Sequence, residues 1–268
     1  MRHTRTAACS AALLLATACL VAAPGTAQAV PPAAVGYVAL GDSYSAGLGA
    51  GDYLPTGTNC RRSGRAYPVL WASAHKVASF AFPACNHART GDVLSGQLGA
   101  LGAGTRLVTL TVGGMDAGFG VVMTTCALGG TSRCLSAVTA ARATVDSSLG
   151  DNLDRLYSAI RDRAPAAHVV VLGYPHLYHL RGTCEMGLQD SARAAIDDGV
   201  DHLDALIARH AAAHGFTFAD VRAAFAGHEI CSAAPWLHSV EVLAPTESYH
   251  PTASGQSLGY LPALDRVS

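Results

Sequence analysis

Charge of either sign is scarce in this sequence. Of its 268 residues only 14% are Asp, Glu, Lys or Arg, and 18 basic side chains nearly cancel 19 acidic ones. Without a basic excess there is no electrostatic footprint for nucleic acid, and no basic patch suits a membrane surface. Long apolar runs are missing beyond the first 30 residues. No later stretch approaches the roughly 20 residues that span a bilayer, so stable membrane insertion is not expected. Repeats and low-complexity segments are absent as well, which leaves one domain as the reading. Metal-ligand spacing is also lacking. His202, His210 and His214 share one helical stretch, but no cysteine or carboxylate is spaced to complete a site with His210 and His214, so a solvated face is expected. No metal or organic cofactor is implied.

The N-terminus, by contrast, is rich in signal. It reads "MRHTRTAACSAALLLATACLVAAPGTAQAV", with Arg2 and Arg5 ahead of an Ala/Leu run and an A-x-A cleavage pattern at Ala27-Gln28-Ala29. That is the anatomy of a secretory signal peptide over residues 1–29, with a mature domain over 30–268. The mature 239 residues carry 16 basic and 19 acidic side chains, a formal charge of −3. Such a length suits one α/β domain with a sizeable core. Cys9 and Cys19 leave with the signal, and Cys60, Cys85, Cys126, Cys134, Cys184 and Cys231 remain. An even count in an exported chain argues for disulfides over metal or thiol chemistry. Six cysteines allow about 15 connectivities. Sequence order does not choose among them, although pairing in order is the simplest.

Five short apolar runs read as strands: "GYVALGDS" from residue 36, then 77–85, 106–114, 168–175 and 216–221. Each closes on Gly, Pro or a polar turn. Two longer stretches carry helical apolar spacing. Residues 135–165 place Leu153, Leu156 and Ile160 on one stripe and stop at Pro165, and residues 188–215 end at Gly215. Short apolar strands alternating with long helices predict a parallel sheet covered on both faces.

Ser43 follows the first of these strands and a glycine, which places it at a strand's C-terminal edge, where open α/β sheets bind ligands. A serine hydroxyl becomes a nucleophile only when a base takes its proton and donors meet the oxyanion. His250 in "TESYHPTASG" is the candidate base. Glu247, three residues upstream, or a backbone carbonyl in its place, would orient the ring. Elsewhere His176, Tyr178 and His179 read as packing residues more than pocket residues. Trp236 and Leu237 admit a lipid-facing rim near His250, with a loop packed on the core as the safer reading.

Taken together, "GDSYSAG" (41–47), "VGGMDAGF" (112–119) and "SYHPTASG" (248–255), in that order, resemble the SGNH (GDSL) hydrolase superfamily, and in particular its secreted actinomycete lipases, esterases and phospholipases. The resemblance spans about residues 36–256. It implies a three-layer α/β/α sandwich around a mostly parallel sheet of about five strands, and six cysteines paired in order. It also implies Ser43 as nucleophile, His250 as general base and then acid, and the Ser43 N–H as one oxyanion donor. Two further donors are implied, a glycine N–H from a second block and an asparagine amide from a third.

The chain departs from that pattern at both. "CNHART" (85–90) puts His87 where the glycine is implied, and "GGMD" puts Met115, after Gly114, where the asparagine is implied. A backbone N–H survives at His87, but a position needing positive φ suits histidine less than glycine. A shifted register through Asn86 or Gly91, or donation from the His87 ring, are alternatives. A thioether donates nothing. The expectation is a monomeric, secreted carboxylic-ester hydrolase acting on a small-molecule or lipid ester, with Ser43, His87, Gly114 and Met115 around the oxyanion. The alternatives are an acyltransferase or specialised esterase on a secondary metabolite, and a secreted binding protein on a degenerate hydrolase scaffold.

Overall fold

The computed structural model describes Met1 and residues 36–55, 59–182, 184 and 187–268. The expected leader and its cleavage point lie outside the described residues. Every element named below belongs to the unit Ala34–Ser268.

Five parallel strands form one sheet: β1 (Gly36–Gly41), β2 (Ser79–Ala81), β3 (Thr105–Thr111), β4 (His168–Leu172) and β5 (Thr217–Ala219). Their spatial order is β2-β1-β3-β4-β5. Central strands are buried along nearly their whole length, with Tyr37–Gly41 and Leu107–Thr111 all inside. Both faces are therefore covered, as the continuous apolar runs require. Tyr37 turns to one face and meets Trp71 at 5.1 Å between ring centres. Its hydroxyl is satisfied by Thr109 Oγ1 at 2.8 Å.

Helices α1 (Ser43–Ala46), α2 (Tyr67–Ala74), α3 (Thr90–Gly96), α4 (Phe119–Thr144), α5 (Gly150–Arg163), α6 (Asp190–Ala213), α7 (Arg222–Phe225) and α8 (Leu261–Asp265) complete the layers. α4, α5 and α6 pack together, and α2 packs with α8. The chain is a three-layer α/β/α sandwich with a five-stranded parallel sheet, as the resemblance implies.

One helix differs from its sequence-based expectation. The stretch expected over 135–165 begins at Phe119, bends at Gly130 (φ 75°), and passes through a π-helical turn at Val145–Leu149 into α5. Gly129-Gly130 reads as a breaker in sequence, and the first half of α4 lacks an apolar stripe opposed by charge, so periodicity is silent there. The Cys126–Cys134 disulfide closes across the bend. Cys60–Cys85 and Cys184–Cys231 are the other two bridges, so all six cysteines pair in sequence order.

Candidate active site

The C-terminal ends of β1, β3 and β4 deliver three turns to one edge of the sheet, and the functional candidates gather there. β1 stops at Gly41 with φ 122°, where an added Cβ would stand 2.4 Å from the Thr111 carbonyl oxygen. Only glycine fits. Asp42 then caps α1, its Oδ1 accepting from the Tyr44 N–H at 2.9 Å. Ser43 is the first residue of α1, so its N–H has no acceptor inside the helix.

His250 arrives from the other end of the chain. Its Nε2 lies 2.8 Å from Ser43 Oγ, and its Nδ1 lies 2.9 Å from the Ser248 carbonyl oxygen. A carbonyl can only accept, so the neutral ring carries its proton on Nδ1 and presents Nε2 as an acceptor to the serine hydroxyl. The Tyr44 hydroxyl fixes the same loop by donating to the Tyr249 carbonyl at 2.7 Å. Both candidate groups are buried, Ser43 to 5% and His250 to 7% exposure. Burial, the largest cause, pushes the His250 imidazole down to about 4.

Glu247 does not hold the ring. Its Oε1 accepts from Tyr53 Oη at 2.8 Å and from the Arg61 guanidinium at 2.7 Å. The short turn Pro245–Glu247 sends that carboxylate away from the imidazole, while the Ser248 carbonyl already fills Nδ1. Of the two orienting groups expected from sequence, the structure brings the Ser248 carbonyl, and not the Glu247 carboxylate, to the His250 ring. Two outcomes follow. Because the base must be neutral, activity is present above the His250 value and lost as pH falls through it, so the acid limb of kcat/KM is expected near pH 4, well below the ordinary histidine value of about 6.5. Glu247→Gln should leave that limb in place and lower kcat/KM by less than about threefold, whereas a true orienting carboxylate costs about 10⁴ in a serine protease. A limb near 6.5, or a hundredfold loss on Glu247→Gln, would contradict the assignment.

On the oxyanion side the structure separates the candidates. His87 adopts φ 64°, the left-handed conformation that favours glycine. Its loop is pinned by the Cys60–Cys85 bridge, by Cys85 N–H donating to the Gly41 carbonyl at 3.0 Å, and by Asn86 N–H donating to the Cys60 carbonyl at 3.0 Å. The His87 ring is exposed and lines the same mouth as Ser43 and Met115. Gly114 lines the narrow space beside Ser43. Its N–H already donates to Tyr174 Oη at 3.0 Å, so it lines the cavity without a free proton.

That tyrosine is the residue sequence reasoning missed. Tyr174 Oη, buried behind Ser43, donates to Asp42 Oδ2 at 2.5 Å while accepting from Gly114. It ties the nucleophile turn to the turn that carries Met115. Burial pushes the Asp42 carboxyl up to about 7. The available signal was its place in "GYP" at the end of β4, two residues from the His176 that was singled out.

Several other singled-out residues are engaged elsewhere. His176 pairs with Asp201 at 2.8 Å, His179 with Glu229 at 3.2 Å, and Tyr178 is buried beside Ile230. Trp236 stacks on His228 at 3.6 Å and Leu237 is buried, so neither forms a rim. His210 and His214 both meet Asp154 Oδ1 of α5, at 2.7 and 3.0 Å, and His202 meets Asp146 at 2.7 Å. The carboxylates that sequence spacing could not supply come from the neighbouring helix. Among the described residues no three His, Cys, Asp or Glu are grouped to hold a metal ion.

Two larger spaces lie near Ser43. One is an apolar slot between α4 and α6, about 510 Å³, walled by Phe119, Met123, Val138, Leu177, Ile196 and Leu203. It joins Ser43 through a narrow space lined by Tyr44, Gly114, Met115, Phe119 and Tyr174. The other is the mouth, about 990 Å³, which holds Ser43 and His250 at its base.

Comparison with known proteins bears directly on this site. The model of the GDSL-like Lipase/Acylhydrolase family matches residues 39–258, from β1 to beyond the His250 loop. The chain belongs to this family. Lipase 1 of Streptomyces coelicolor is 56% identical over 266 residues, covering 99% of each chain. The crystal structure of an extracellular lipase from Streptomyces rimosus superposes with a TM-score of 0.85 at 54% identity, over 88% of this chain and all of that one. A phospholipase A1 from Streptomyces albidoflavus does so with a TM-score of 0.86 at 53% identity, with the same coverage. As a GDSL-family protein the chain is an ester hydrolase.

Proposed function

We propose that this GDSL-family hydrolase is exported by a signal peptide over residues 1–29 and cleaves lipid-like carboxylic esters as a monomer, through an acyl-enzyme on Ser43. The observation that carries the reading is the 2.8 Å contact from Ser43 Oγ to an imidazole whose other nitrogen is held by a backbone carbonyl. Ser43 Oγ attacks the ester carbonyl carbon while its proton passes to His250 Nε2. The tetrahedral oxyanion is met by the Ser43 N–H at the start of α1 and by the His87 N–H. Collapse breaks the acyl–oxygen bond, and His250 returns its proton to the leaving alkoxide. Water, deprotonated by the same nitrogen, then releases the acid and restores the hydroxyl. Met115, facing the same space, offers the oxyanion no proton. The names of the Streptomyces relatives, an extracellular lipase and a phospholipase A1, support export and a lipid ester as substrate.

The apolar slot beside Ser43 suits an acyl chain. Each methylene buried there contributes about 0.8 kcal/mol, about fourfold in kcat/KM. Turnover of p-nitrophenyl esters of graded chain length is therefore expected to climb severalfold per methylene from acetate, then level off when the slot is full. A flat series would sink the acyl-slot assignment. Repeating the series with an added acceptor alcohol separates hydrolysis from acyl transfer, since the ester product of transfer is expected to stay a minor species.

A further inference from the structure

The first half of α4 is unusual for a surface helix. From Ala117 to Ser132 there is no charged side chain, yet Val121 and Leu128, two turns apart on one face, are 71% and 81% exposed. Across the mouth, the loop before Pro245 presents Val240, Val242 and Leu243, the last two 82% and 100% exposed. Leu128 from α4 and Val240 and Pro245 from the loop line one opening, with Ser43 and His250 at its base. Two segments more than a hundred residues apart therefore place bare aliphatic side chains around a single entrance. Exposed apolar groups clustered at one place mark an interaction surface, whereas isolated ones do not.

The loop is also held in place. The Glu241 N–H donates to Ser248 Oγ at 2.8 Å, the Glu247 N–H donates to the Ala244 carbonyl at 2.8 Å, and His238 Nε2 bonds the Gly49 carbonyl at 2.8 Å. Val242 and Leu243 thus project from a braced turn. Among the described rim residues Arg61 is already paired with Glu247 at 2.7 Å, and Glu241 adds a carboxylate, so the rim has no excess cation to attract an anionic headgroup.

We infer that this aliphatic rim is a docking face for a neutral lipid surface, seating the mouth on the aggregate from which the acyl chain is drawn. The inference rests on the ester-hydrolase reading and adds where the substrate is met. Continuity with the mouth favours a lipid surface over a second copy of the chain, because a protein partner seated there would close the entrance to Ser43. The absence of a basic patch favours a zwitterionic surface, with adhesion by apolar burial that salt does not weaken.

The test uses protein recovered from the medium of a secreting host and vesicles of phosphatidylcholine alone. A Ser43→Ala background keeps the lipid intact, and partition is read by flotation at low and high salt. The parent should float, insensitive to salt, and adding Val242→Ser and Leu243→Ser should weaken partition at least tenfold. In the serine-intact protein the same two changes should leave p-nitrophenyl acetate turnover within twofold, which also shows that the fold is kept. Equal partition of parent and variant overturns the inference, as does partition that salt abolishes. A concentration-dependent dimer that the variant loses, without flotation of the parent, overturns it in favour of a second copy. Failure of the catalytic reading is seen separately, as ester cleavage that survives Ser43→Ala.

Discussion

Ser43→Ala should lower kcat on a short p-nitrophenyl ester by on the order of 10⁵-fold or more, the scale seen when a catalytic serine is removed from a serine hydrolase. In the proposed mechanism the nucleophile and the base act as one unit, joined by the 2.8 Å contact, so losing either removes the acyl-enzyme route rather than a fraction of it. KM should change little, because the hydroxyl serves bond formation and the slot serves binding. The fold should survive. The Ser43 hydroxyl leaves only His250 Nε2 without a partner, a cost of about 1–3 kcal/mol for a buried acceptor. A variant with a native melting profile and no turnover matches the account, and one with near-parental turnover removes Ser43 from the mechanism.

Met115→Asn carries the second large effect, in the opposite direction. An oxyanion-hole donor is worth about 10²–10³ in kcat in a serine protease. Met115 is half-buried beside Ser43, and its backbone is fixed on both sides: the Gly114 N–H by Tyr174 Oη, and the Met115 carbonyl by the Gly118 N–H at 3.2 Å. An amide introduced there meets a prepared position and a smaller side chain, so no clash opposes it. We expect kcat to rise by about 10²-fold with KM nearly unchanged, since the new bond forms only as the oxyanion does. No gain would mean that the oxyanion is already served by another donor. His87→Gly identifies it. That change keeps the N–H and relieves the left-handed strain at φ 64°, so turnover holds if the backbone donates and falls if the ring does.

The sheet was legible in the sequence because its central strands are buried on both sides and its apolar runs are closed by turns. Residues 168–175 contain β4 (His168–Leu172), and residues 188–215 contain α6 (Asp190–Ala213). What could not be read was anything decided through space. The start of α4 at Phe119 escaped because its exposed face is as apolar as its buried one. Glu247 looked like a triad acid because it lies three residues from His250, yet a turn sets its carboxylate on Arg61. Tyr174 sits in a strand-end turn that sequence shows, but its role does not, because its two partners, Asp42 and Gly114, are 132 and 60 residues away. Asp154 likewise reaches His210 and His214 from another helix. The candidate nucleophile and base were legible for a different reason: each sits in a short Gly- or Pro-flanked turn that the chemistry demands.

The most direct measurement is covalent. A fluorophosphonate ester presented to the purified protein should form one stable adduct, with mass spectrometry of the digest placing it on the peptide that contains Ser43. Labelling should fail in His250→Ala, where no base takes the serine proton. An adduct on another serine, or none in protein that still cleaves esters, would contradict the mechanism at its centre.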